Sequence, residues 1–328
     1  MTYRPGTSTA FCVTRPKLRE IFAAGFRDRV VHHLLIGRIN RAVESRLSEA
    51  ACACREGKGT LYAVRRLRDM MNAEPCDWYV KGDIRGFFMS IRKDILLRLV
   101  CDVIRDVVDD DVDWWLWLAE VVVTHRPELD CELHGKTRLW DGLPDNKTLF
   151  KTGGVGVPIG NLTSQVFANL YLAEFDKWAI ARLGSEMRYI RYADDFVMIH
   201  PDKREMLWLV NEARDWLRHE RGLTLHEHKV TIQRVCRGVG FVGCFIKGGL
   251  IHPGRRLRVN ALGVSRKWAR KSEHSTEERE RLINTYNSYS GLLRHLASYR
   301  LRRKMWRSLG DYRSLNNINM NKIKITRQ

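Results

Sequence analysis

The residues of this sequence best suited to chemistry are two adjacent carboxylates, Asp194 and Asp195, in the stretch RYIRYADDFVMIH. Apolar and aromatic residues flank the pair on both sides, a pattern that predicts a β-hairpin with an acidic turn. Adjacent Asp residues inside a strand would point to opposite faces and bury an uncompensated charge, so we expect both at the exposed tip. Close-set carboxylates suit Mg²⁺, although an isolated Asp-Asp pair is also typical of an ordinary polar turn.

A third carboxylate, Asp83, lies in DWYVKGDIRGFFMSIRKDIL. The residues from Trp78 to Ile84 predict a strand, with Asp83 at its exposed end just before Gly86. If Asp83 lies beside the hairpin tip, three carboxylates from two distant segments can hold two Mg²⁺ ions. One ion would activate a 3′-hydroxyl, and the other would hold a triphosphate and stabilise the leaving pyrophosphate. This arrangement predicts in-line phosphoryl transfer.

A basic loop, ACREGKGT, precedes these segments and leads into a helix. Its glycines would let the backbone approach a phosphate, while Arg55, Lys58 and the helix N-terminus would supply positive charge. The loop lacks the Gly-Lys-Ser/Thr ending of a Walker A loop. Taken alone, it is also compatible with a simple basic turn.

The remaining elements predict an α+β fold. The stretch GGVGVPIGNLTSQVFANLYLAEFDKW predicts a Gly-rich loop that enters one long helix. After the hairpin come an amphipathic helix, Lys229, the strand VGFVGCFI and a tight turn at Gly248 and Gly249. This order predicts a small antiparallel sheet with helices on one face, of the split βαβ type, as in the palm of a right-handed polymerase. A flexible loop beside an acidic site could hold a templating base.

Charge and domain organisation point to a polyanionic partner. The 328 residues contain 57 Lys and Arg against 38 Asp and Glu, a formal charge of +19, and 19 − 5 = +14 of this falls after residue 254. There, aromatic and cationic residues interleave, and we expect the helices to grip nucleic acid through Arg300, Arg302, Arg303 and Lys304. We predict fingers at 1–76, a palm at 77–254 with a fingers-like insertion at about 106–155, and a helical thumb at 255–328.

Cysteine spacing and hydropathy indicate in which cellular compartment the protein is expected. The eight cysteines show no C-x-x-C spacing, so neither a zinc site nor a disulfide framework is expected. The sequence opens without a signal peptide, and its most apolar run, Trp114 to Val123, is too short to span a bilayer. We therefore expect a cytoplasmic protein without a membrane partner.

The order of these motifs resembles that of reverse transcriptases across roughly residues 14 to 310. The loop IGNLTSQ, with FRDRVVHHLL and NSYSGLLRHLASYRLRRK, is similar to the reverse transcriptases of diversity-generating retroelements, which are bacterial or phage-encoded. The resemblance implies an RNA-directed DNA polymerase that copies a template-repeat RNA with errors, chiefly opposite adenine. It also implies dNTPs, an RNA–DNA duplex and an accessory variability protein as partners, and Mg²⁺ as cofactor with Mn²⁺ as an alternative.

The resemblance assigns roles position by position. Asp83, Ile84, Asp194 and Asp195 match metal-binding positions, and the three Asp residues are the catalytic ones. The positions that match substrate contacts are Arg55 and Lys58 for the triphosphate, Phe88 for exclusion of a ribose 2′-hydroxyl, Ile159, Gly160 and Gln165 in the loop before the long helix, and Lys229 near the pyrophosphate. Ile159 departs from the Gln that most reverse transcriptases carry at this position.

Two alternatives remain open from sequence. A reverse transcriptase of a retron or group II intron lineage would share the same catalytic motifs. A catalytically inactive RNA-binding scaffold would share the fold, but the intact set of Asp83, Asp194 and Asp195 disfavours it. Since no endonuclease or maturase stretch follows the basic helices, we expect a polymerase rather than a full intron-encoded protein.

Overall fold

The computed structural model describes residues 2–15, 17–73, 77–269 and 275–309. Its strands are β1 (Ser8–Val13), β2 (Arg19–Ala23), β3 (Trp78–Asp83), β4 (Cys131–His134), β5 (Tyr189–Tyr192), β6 (Asp195–His200), β7 (Thr231–Arg234), β8 (Val239–Phe241), β9 (Cys244–Lys247) and β10 (Leu250–Pro253). Its α-helices are α1 (Phe26–Arg46), α2 (Thr60–Asn72), α3 (Phe87–Ser90), α4 (Lys93–Val107), α5 (Val112–Thr124), α6 (Leu162–Tyr171), α7 (Ala173–Leu183), α8 (Lys203–Arg221), α9 (Arg255–Ala269), α10 (Thr276–Leu293) and α11 (Tyr299–Arg307).

The chain divides into two compact units. The first consists of Met1–Gly59 and Trp78–Ile232, and the second of Thr60–Asp77 and Gln233–Gln328. The predicted polymerase subdomains, with boundaries at residues 76 and 254, were defined by sequence motifs, whereas these units are defined by compactness. The subdomain boundaries stay a prediction. None of the helices in the described ranges is long and apolar enough to cross a membrane.

The main sheet of the first unit has the strand order β5-β6-β3, with antiparallel pairing throughout. The strands β5 and β6 form the hairpin expected from the sequence. In β3, Gly82 lies opposite Phe196, and a Cβ at Gly82 would come within 2.3 Å of the Phe196 ring. Only glycine therefore lets this ring lie across the strand that ends at Asp83. A fourth strand, β7, follows β3 in the sheet order and contains the boundary between the two units.

Two helices cover this sheet. The helix α7 contacts β5 and β6, and α8 contacts β3 and β6. Phe175 on α7 lies at the centre of an aromatic cluster, with ring centroids 5.4 Å from Phe196, 5.4 Å from Trp216 and 5.5 Å from Trp178. Burial of an aromatic side chain contributes roughly 1.5–3 kcal/mol. The cluster therefore holds the helices on the strands that carry the acidic turn.

The helix after the Gly-rich loop is not the single long helix that the sequence predicts. It breaks at Leu172, where φ is −101° and ψ is 3°, and continues as α7. The Tyr171 carbonyl next to the break accepts a hydrogen bond from Arg221 Nε at 2.8 Å, and the Tyr171 hydroxyl donates to the Arg221 carbonyl at 2.6 Å. Because the buried Arg221 satisfies this carbonyl, the helix can break without leaving it unpaired.

A second sheet of the first unit has the strand order β2-β1-β4. Glu20 on β2 is almost completely buried and accepts hydrogen bonds from Trp140 Nε1 at 2.7 Å, Thr148 Oγ1 at 2.7 Å and the Leu149 N–H at 2.8 Å. These donors lie in the segment predicted as an insertion at about 106–155. The carboxylate of Glu20 therefore ties this segment to β2.

The second unit combines a small sheet with helices. The strands β8, β9 and β10 form an antiparallel sheet against which α2 packs. The predicted tight turn is present, with left-handed φ values of 55° at Gly248 and 73° at Gly249. The helix α10 starts with a capping box between Ser275 and Glu278, and α9 contacts both α10 and α11. Tyr286 and Met305 are buried among these helices.

Candidate active site

The end of β3 brings Asp83 beside the acidic turn of the hairpin. Asp83 lies opposite Asp195 in the β3–β6 pair, and the Ile84 N–H donates to the Asp194 carbonyl at 3.3 Å. These backbone contacts place three carboxylates from two distant segments at one end of the sheet. The structure thus brings together the predicted catalytic residues, while their role as metal ligands stays a prediction.

Asp194 and Asp195 are half-buried, which corrects the expectation of a fully exposed tip. The reason is that β3 runs beside β6 as far as Asp195, so the turn is covered on one side. Burial, and then repulsion from Asp83 and Asp195, raises the pKa of Asp194 from 3.8 to about 6. Burial also raises the pKa of Asp195, against the opposing effect of Lys81.

Two lysines accompany the three carboxylates. Lys229 Nζ lies 2.5 Å from Asp83 Oδ2, and Lys81 Nζ lies 3.6 Å from Asp195 Oδ1. The Lys229 side chain is 48% exposed and that of Asp83 is 15% exposed, so the lysine can leave this ion pair for solvent. The positive charges of Arg19 and Lys17 also act on Asp194 and Asp195, respectively. Among the described residues, Asp194 is the one of the three carboxylates without an ion pair.

This donor set fits a hard divalent cation. Carboxylate oxygens are the ligands that Mg²⁺ and Mn²⁺ prefer, and a cation would offset the burial and the repulsion from Asp83 and Asp195 that raise the pKa of Asp194. In the side-chain arrangement of the described residues, no three His, Cys, Asp or Glu residues are close enough together to hold one ion. Binding would therefore require the carboxylate side chains to move closer together, with Asp83 exchanging Lys229 for the cation. Ile84 has its side chain in the core, so this predicted ligand could offer only its backbone carbonyl.

A sequence model of one protein family matches most of the chain. The family described as reverse transcriptase (RNA-dependent DNA polymerase) matches residues 14–264. The chain belongs to the reverse transcriptase family.

Two curated proteins are similar to this reverse transcriptase chain. The uncharacterized 91 kDa protein in cob intron of Schizosaccharomyces pombe is 27% identical over 163 residues, which cover 50% of this chain and 17% of that protein. Protein YkfC of Escherichia coli is 23% identical over 266 residues, which cover 69% of this chain and 62% of that protein. The chain thus spans less than two thirds of the length of either relative.

Solved telomerase structures resemble the fold. Telomerase from Candida albicans, in complex with a TWJ fragment of telomeric RNA, has a TM-score of 0.52 at 10% identity, covering 95% of this chain and 61% of that one. Apo telomerase from Candida tropicalis has a TM-score of 0.60 at 9% identity, covering 96% and 59%. Identities this low concern the fold alone. They confirm the predicted α+β fold of a right-hand polymerase.

The two cations predicted to contact a triphosphate in this reverse transcriptase have protein partners. Arg55 Nε pairs with Glu44 Oε2 at 2.7 Å, and its NH1 donates to the Ser48 and Ala51 carbonyls at 2.6 and 2.9 Å. Lys58 Nζ lies 3.1 Å from Glu49 Oε2. Both side chains are largely buried, so contact with a triphosphate would require each to leave its partners. The predicted role of these two residues stays a prediction.

Phe88 follows β3, and its segment contacts the Gly-rich loop. Its ring is half-buried and packs edge-on against Phe87, with centroids 5.3 Å apart. Its carbonyl accepts a hydrogen bond from the Val157 N–H at 2.8 Å, and the Gly156 N–H donates to Ile91 at 2.9 Å. The loop before α6 is therefore tied to the segment that follows Asp83.

The loop residues Ile159 and Gly160 contact β2. The Ile159 carbonyl accepts from the Phe22 N–H at 2.9 Å, and the partly buried Ile159 side chain packs on a small cluster that includes Phe22 and Met89. Gly160 has a φ of 130°, and a Cβ there would lie 2.8 Å from the Phe22 carbonyl. Gln165, by contrast, is exposed on α6. The surroundings of the Ile159 side chain thus suit an apolar residue.

The four basic residues predicted to bind nucleic acid all lie on α11 of the second unit. Arg300, Arg303 and Lys304 are exposed. Arg302 is half-buried, and its charge acts on the buried Tyr286. The first three could therefore meet phosphates directly, whereas Arg302 also has a place in the packing of the helices.

Sequence analysis missed a buried ion pair next to the acidic turn, between Asp176 and Arg191. Both side chains are completely buried, and Arg191 NH2 lies 2.6 Å from Asp176 Oδ2. Each residue lies in a segment with other charged residues, LAEFDKWAI or RYIRYADD. Charged residues are almost never fully buried unless paired, but nothing local in these segments distinguishes the two that are buried from their more exposed neighbours.

Proposed function

We propose that this protein is the RNA-directed DNA polymerase of a diversity-generating retroelement, which makes error-prone, adenine-mutagenised cDNA from a template-repeat RNA. The observation that carries the polymerase activity is the register of β3 on β6, which sets Asp83 opposite Asp195 and next to Asp194. Family membership supports the same activity. Its substrates would be dNTPs and an RNA template, and its product an RNA–DNA duplex.

The residues that would hold two Mg²⁺ ions are Asp83, Asp194 and Asp195, with the Ile84 carbonyl. When bound, the ions supply activation of the primer 3′-hydroxyl and charge stabilisation for the triphosphate. Lys229 leaves Asp83 and turns to the pyrophosphate, and its side chain is exposed enough to move. Arg55 and Lys58 exchange Glu44 and Glu49 for the triphosphate oxygens. Phe88 limits the space beside the sugar.

Loop chemistry supports the mutagenic subtype. Ile159 offers an apolar surface where a glutamine would offer hydrogen bonds near the nascent base pair, so selection would rest on base-pair shape. Since about 1.4 kcal/mol is a tenfold rate ratio, the loss of one or two such contacts raises error by roughly ten- to a hundredfold. The motif resemblance also implies an accessory variability protein as partner.

The decisive test is primer extension on an RNA template with dNTPs and Mg²⁺, followed by sequencing of the cDNA. We expect frequent substitutions opposite template adenines, and fewer of them in the Ile159→Gln enzyme. Ile159→Leu is the matched control, because it keeps the apolar packing on Phe22 and should keep the errors. An unchanged adenine error rate in an active Ile159→Gln enzyme would show that Ile159 serves packing alone.

A second candidate function is that of a reverse transcriptase from a group II intron or retron lineage. The observation that favours it is the 27% identity to a protein in a cob intron. Faithful copying of RNA by the wild-type enzyme, with adenine errors no more frequent than other errors, would favour this lineage. Absence of any primer extension would leave an inactive RNA-binding scaffold.

A further inference from the structure

A fully compensated ionic pair lies directly behind the acidic turn. Arg191 on β5 donates from Nε and NH2 to the two oxygens of Asp176 on α7, both at 2.6 Å. The Tyr189 hydroxyl also donates to Asp176 Oδ1, at 2.8 Å. All three side chains are buried, so this part of the network is rigid and excludes water.

The remaining guanidinium nitrogen of Arg191 reaches towards the catalytic turn. NH1 donates to the Ala193 carbonyl at 3.1 Å and to Asn169 Oδ1 at 3.3 Å. Ala193 directly precedes Asp194 and has a left-handed φ of 56°. A left-handed conformation is unfavourable for a non-glycine residue, so the turn needs outside support to stay in this shape. Arg191 gives that support.

Asn169 extends the network to the basic loop. Its Nδ2 donates to the Ala53 carbonyl at 2.8 Å, two residues before Arg55. The backbone of Arg191 also pairs with this segment, since its N–H donates to Ala50 and its carbonyl accepts from Cys52, both at 2.9 Å. A continuous path of hydrogen bonds therefore runs from Ala193 through Arg191 and Asn169 to Ala53.

We propose that Arg191 and Asn169 are positioning residues that hold the turn of Asp194 and the loop of Arg55 in one fixed relation. The buried Asp176 fixes the guanidinium, and the guanidinium and the amide fix the two backbone segments. On the proposed polymerase function, this aligns the carboxylates with the cations that would meet the triphosphate. Neither residue touches substrate, so their effect is on alignment.

Substitution of Asn169 interrupts the hydrogen-bond path with the smallest change elsewhere. Asn169→Asp keeps the size and an oxygen that can accept from Arg191, but a carboxylate cannot donate to the Ala53 carbonyl. Asn169→Leu removes both hydrogen bonds without introducing a charge. Tyr171→Phe is the matched control, because it deletes two hydrogen bonds from the same helix, one donated to the Arg221 carbonyl and one accepted from the Arg92 N–H, without touching the path.

The first measurement is steady-state primer extension. We expect Asn169→Asp to raise KM for dNTP by about five- to tenfold while kcat changes by less than about threefold, because the loop is displaced and the carboxylates are not. Tyr171→Phe should leave KM unchanged. A merely structural role would lower the active fraction of both variants and leave KM the same, and this result would overturn the proposal.

The second measurement needs no activity, which separates this inference from the proposed function. Hydrogen exchange of the free proteins should be faster in Asn169→Asp than in wild type for the amides of residues 50–55. Peptides from α10 serve as the internal reference and should not change. Unchanged exchange at 50–55 would overturn the inference even if the wild type polymerises. Lack of polymerisation by the wild type, with faster exchange in the variant, would overturn only the proposed function.

Discussion

Two charged clusters lie next to each other in the first unit, and they are built in opposite ways. In the first, Asp176 and Arg191 are completely buried, and each charge is paired and hydrogen-bonded. In the second, Asp83, Asp194 and Asp195 are half-buried, the lysines paired with Asp83 and Asp195 are partly exposed, and Asp194 has no ion pair among the described residues. The turn that carries Asp194 belongs to both clusters, because Arg191 holds Ala193.

The pair of Asp176 and Arg191 keeps the shape of the turn, whereas the three carboxylates are the part expected to bind a cation. A buried pair whose two charges compensate each other gains little from a further ligand and loses much if one partner is removed. A cluster in which Asp194 is half-buried without an ion pair in the described ranges, by contrast, gains from a cation that enters, because burial and then repulsion from Asp83 and Asp195 raise the pKa of Asp194. The buried pair of Asp176 and Arg191, here called the balanced cluster, thus supports the turn of Asp194 from behind. The three carboxylates, of which Asp194 has no ion pair with any residue that the structure describes, are called the unbalanced cluster.

The largest expected effect comes from breaking the unbalanced cluster. Asp194→Asn keeps the side-chain size but removes a charge from the predicted metal site, so primer extension should fall by roughly a thousandfold or more. The measurement is single-nucleotide incorporation on an RNA template with Mg²⁺. The circular dichroism spectrum should stay that of the wild type.

The control for this prediction is Asp110→Asn, at an exposed position before α5. It removes the same charge from the same unit, and incorporation should stay within about twofold of wild type. Near wild-type activity in the Asp194→Asn enzyme would refute the assignment of the catalytic carboxylates.

The contrast between the clusters also explains how much could be predicted from the sequence. The placement of Asp83, Asp194 and Asp195 was predictable because each is set by a local signal, the end of a strand or the turn of a hairpin. The break at Leu172 was not, because it depends on Arg221, 50 residues away, donating to Tyr171. The partners of Arg55 were equally hidden, since the spacing of a basic loop does not indicate whether its cations contact phosphate or Glu44.

The second largest effect concerns the balanced cluster. Asp176→Leu leaves Arg191 buried without its counter-charge, and the free energy of unfolding should fall by about 3–5 kcal/mol. The double variant Asp176→Leu with Arg191→Met should be less destabilised than Asp176→Leu alone, because no buried charge remains. Urea denaturation measures all of these.

An exposed pair on the same helix gives the matched control. Lys177 and Glu174 lie 2.9 Å apart on α7, and both are about half exposed. Glu174→Gln should cost less than about 1 kcal/mol. Equal losses in Glu174→Gln and Asp176→Leu would mean that the buried pair does not support the turn.

The third prediction concerns stability against pH in buffer free of divalent cations. An unfolded Asp titrates near 3.8, while the folded environment raises the pKa of Asp194 to about 6. Between these values the folded state binds more protons, so this residue lowers stability as pH rises from about 4 to about 6 and keeps it low above that. Asn cannot ionise. Asp194→Asn should therefore match the wild type near pH 4 and be more stable above pH 6.

The size of this gain follows from the pKa shift. The shift corresponds to at most about 3 kcal/mol, and solvent screening of a half-buried group reduces it to roughly 1–2 kcal/mol. Urea denaturation at pH 4.5 and pH 7.5 measures the difference. If the two proteins were equally stable at pH 7.5, the cluster would not be electrostatically strained.

The smallest effect tests whether Lys229 stands in for a cation. Lys229 and a divalent ion would compete for Asp83, so Lys229→Met should lower the Mn²⁺ concentration that gives half of the maximal thermal stabilisation. The Lys229 side chain is 48% exposed, and partly exposed pairs are worth about 0.2–1 kcal/mol, which predicts a shift of about 1.4- to fivefold. Lys151→Met removes a lysine from an exposed pair with Asp145 at 2.8 Å, away from the cluster, and should cause no shift. Because the assay reads metal binding rather than turnover, it does not depend on what Lys229 does to pyrophosphate. A Mn²⁺ midpoint that stays the same in Lys229→Met would mean that the lysine does not compete for the site, and that the carboxylates bind the ion without releasing Asp83 from its partner.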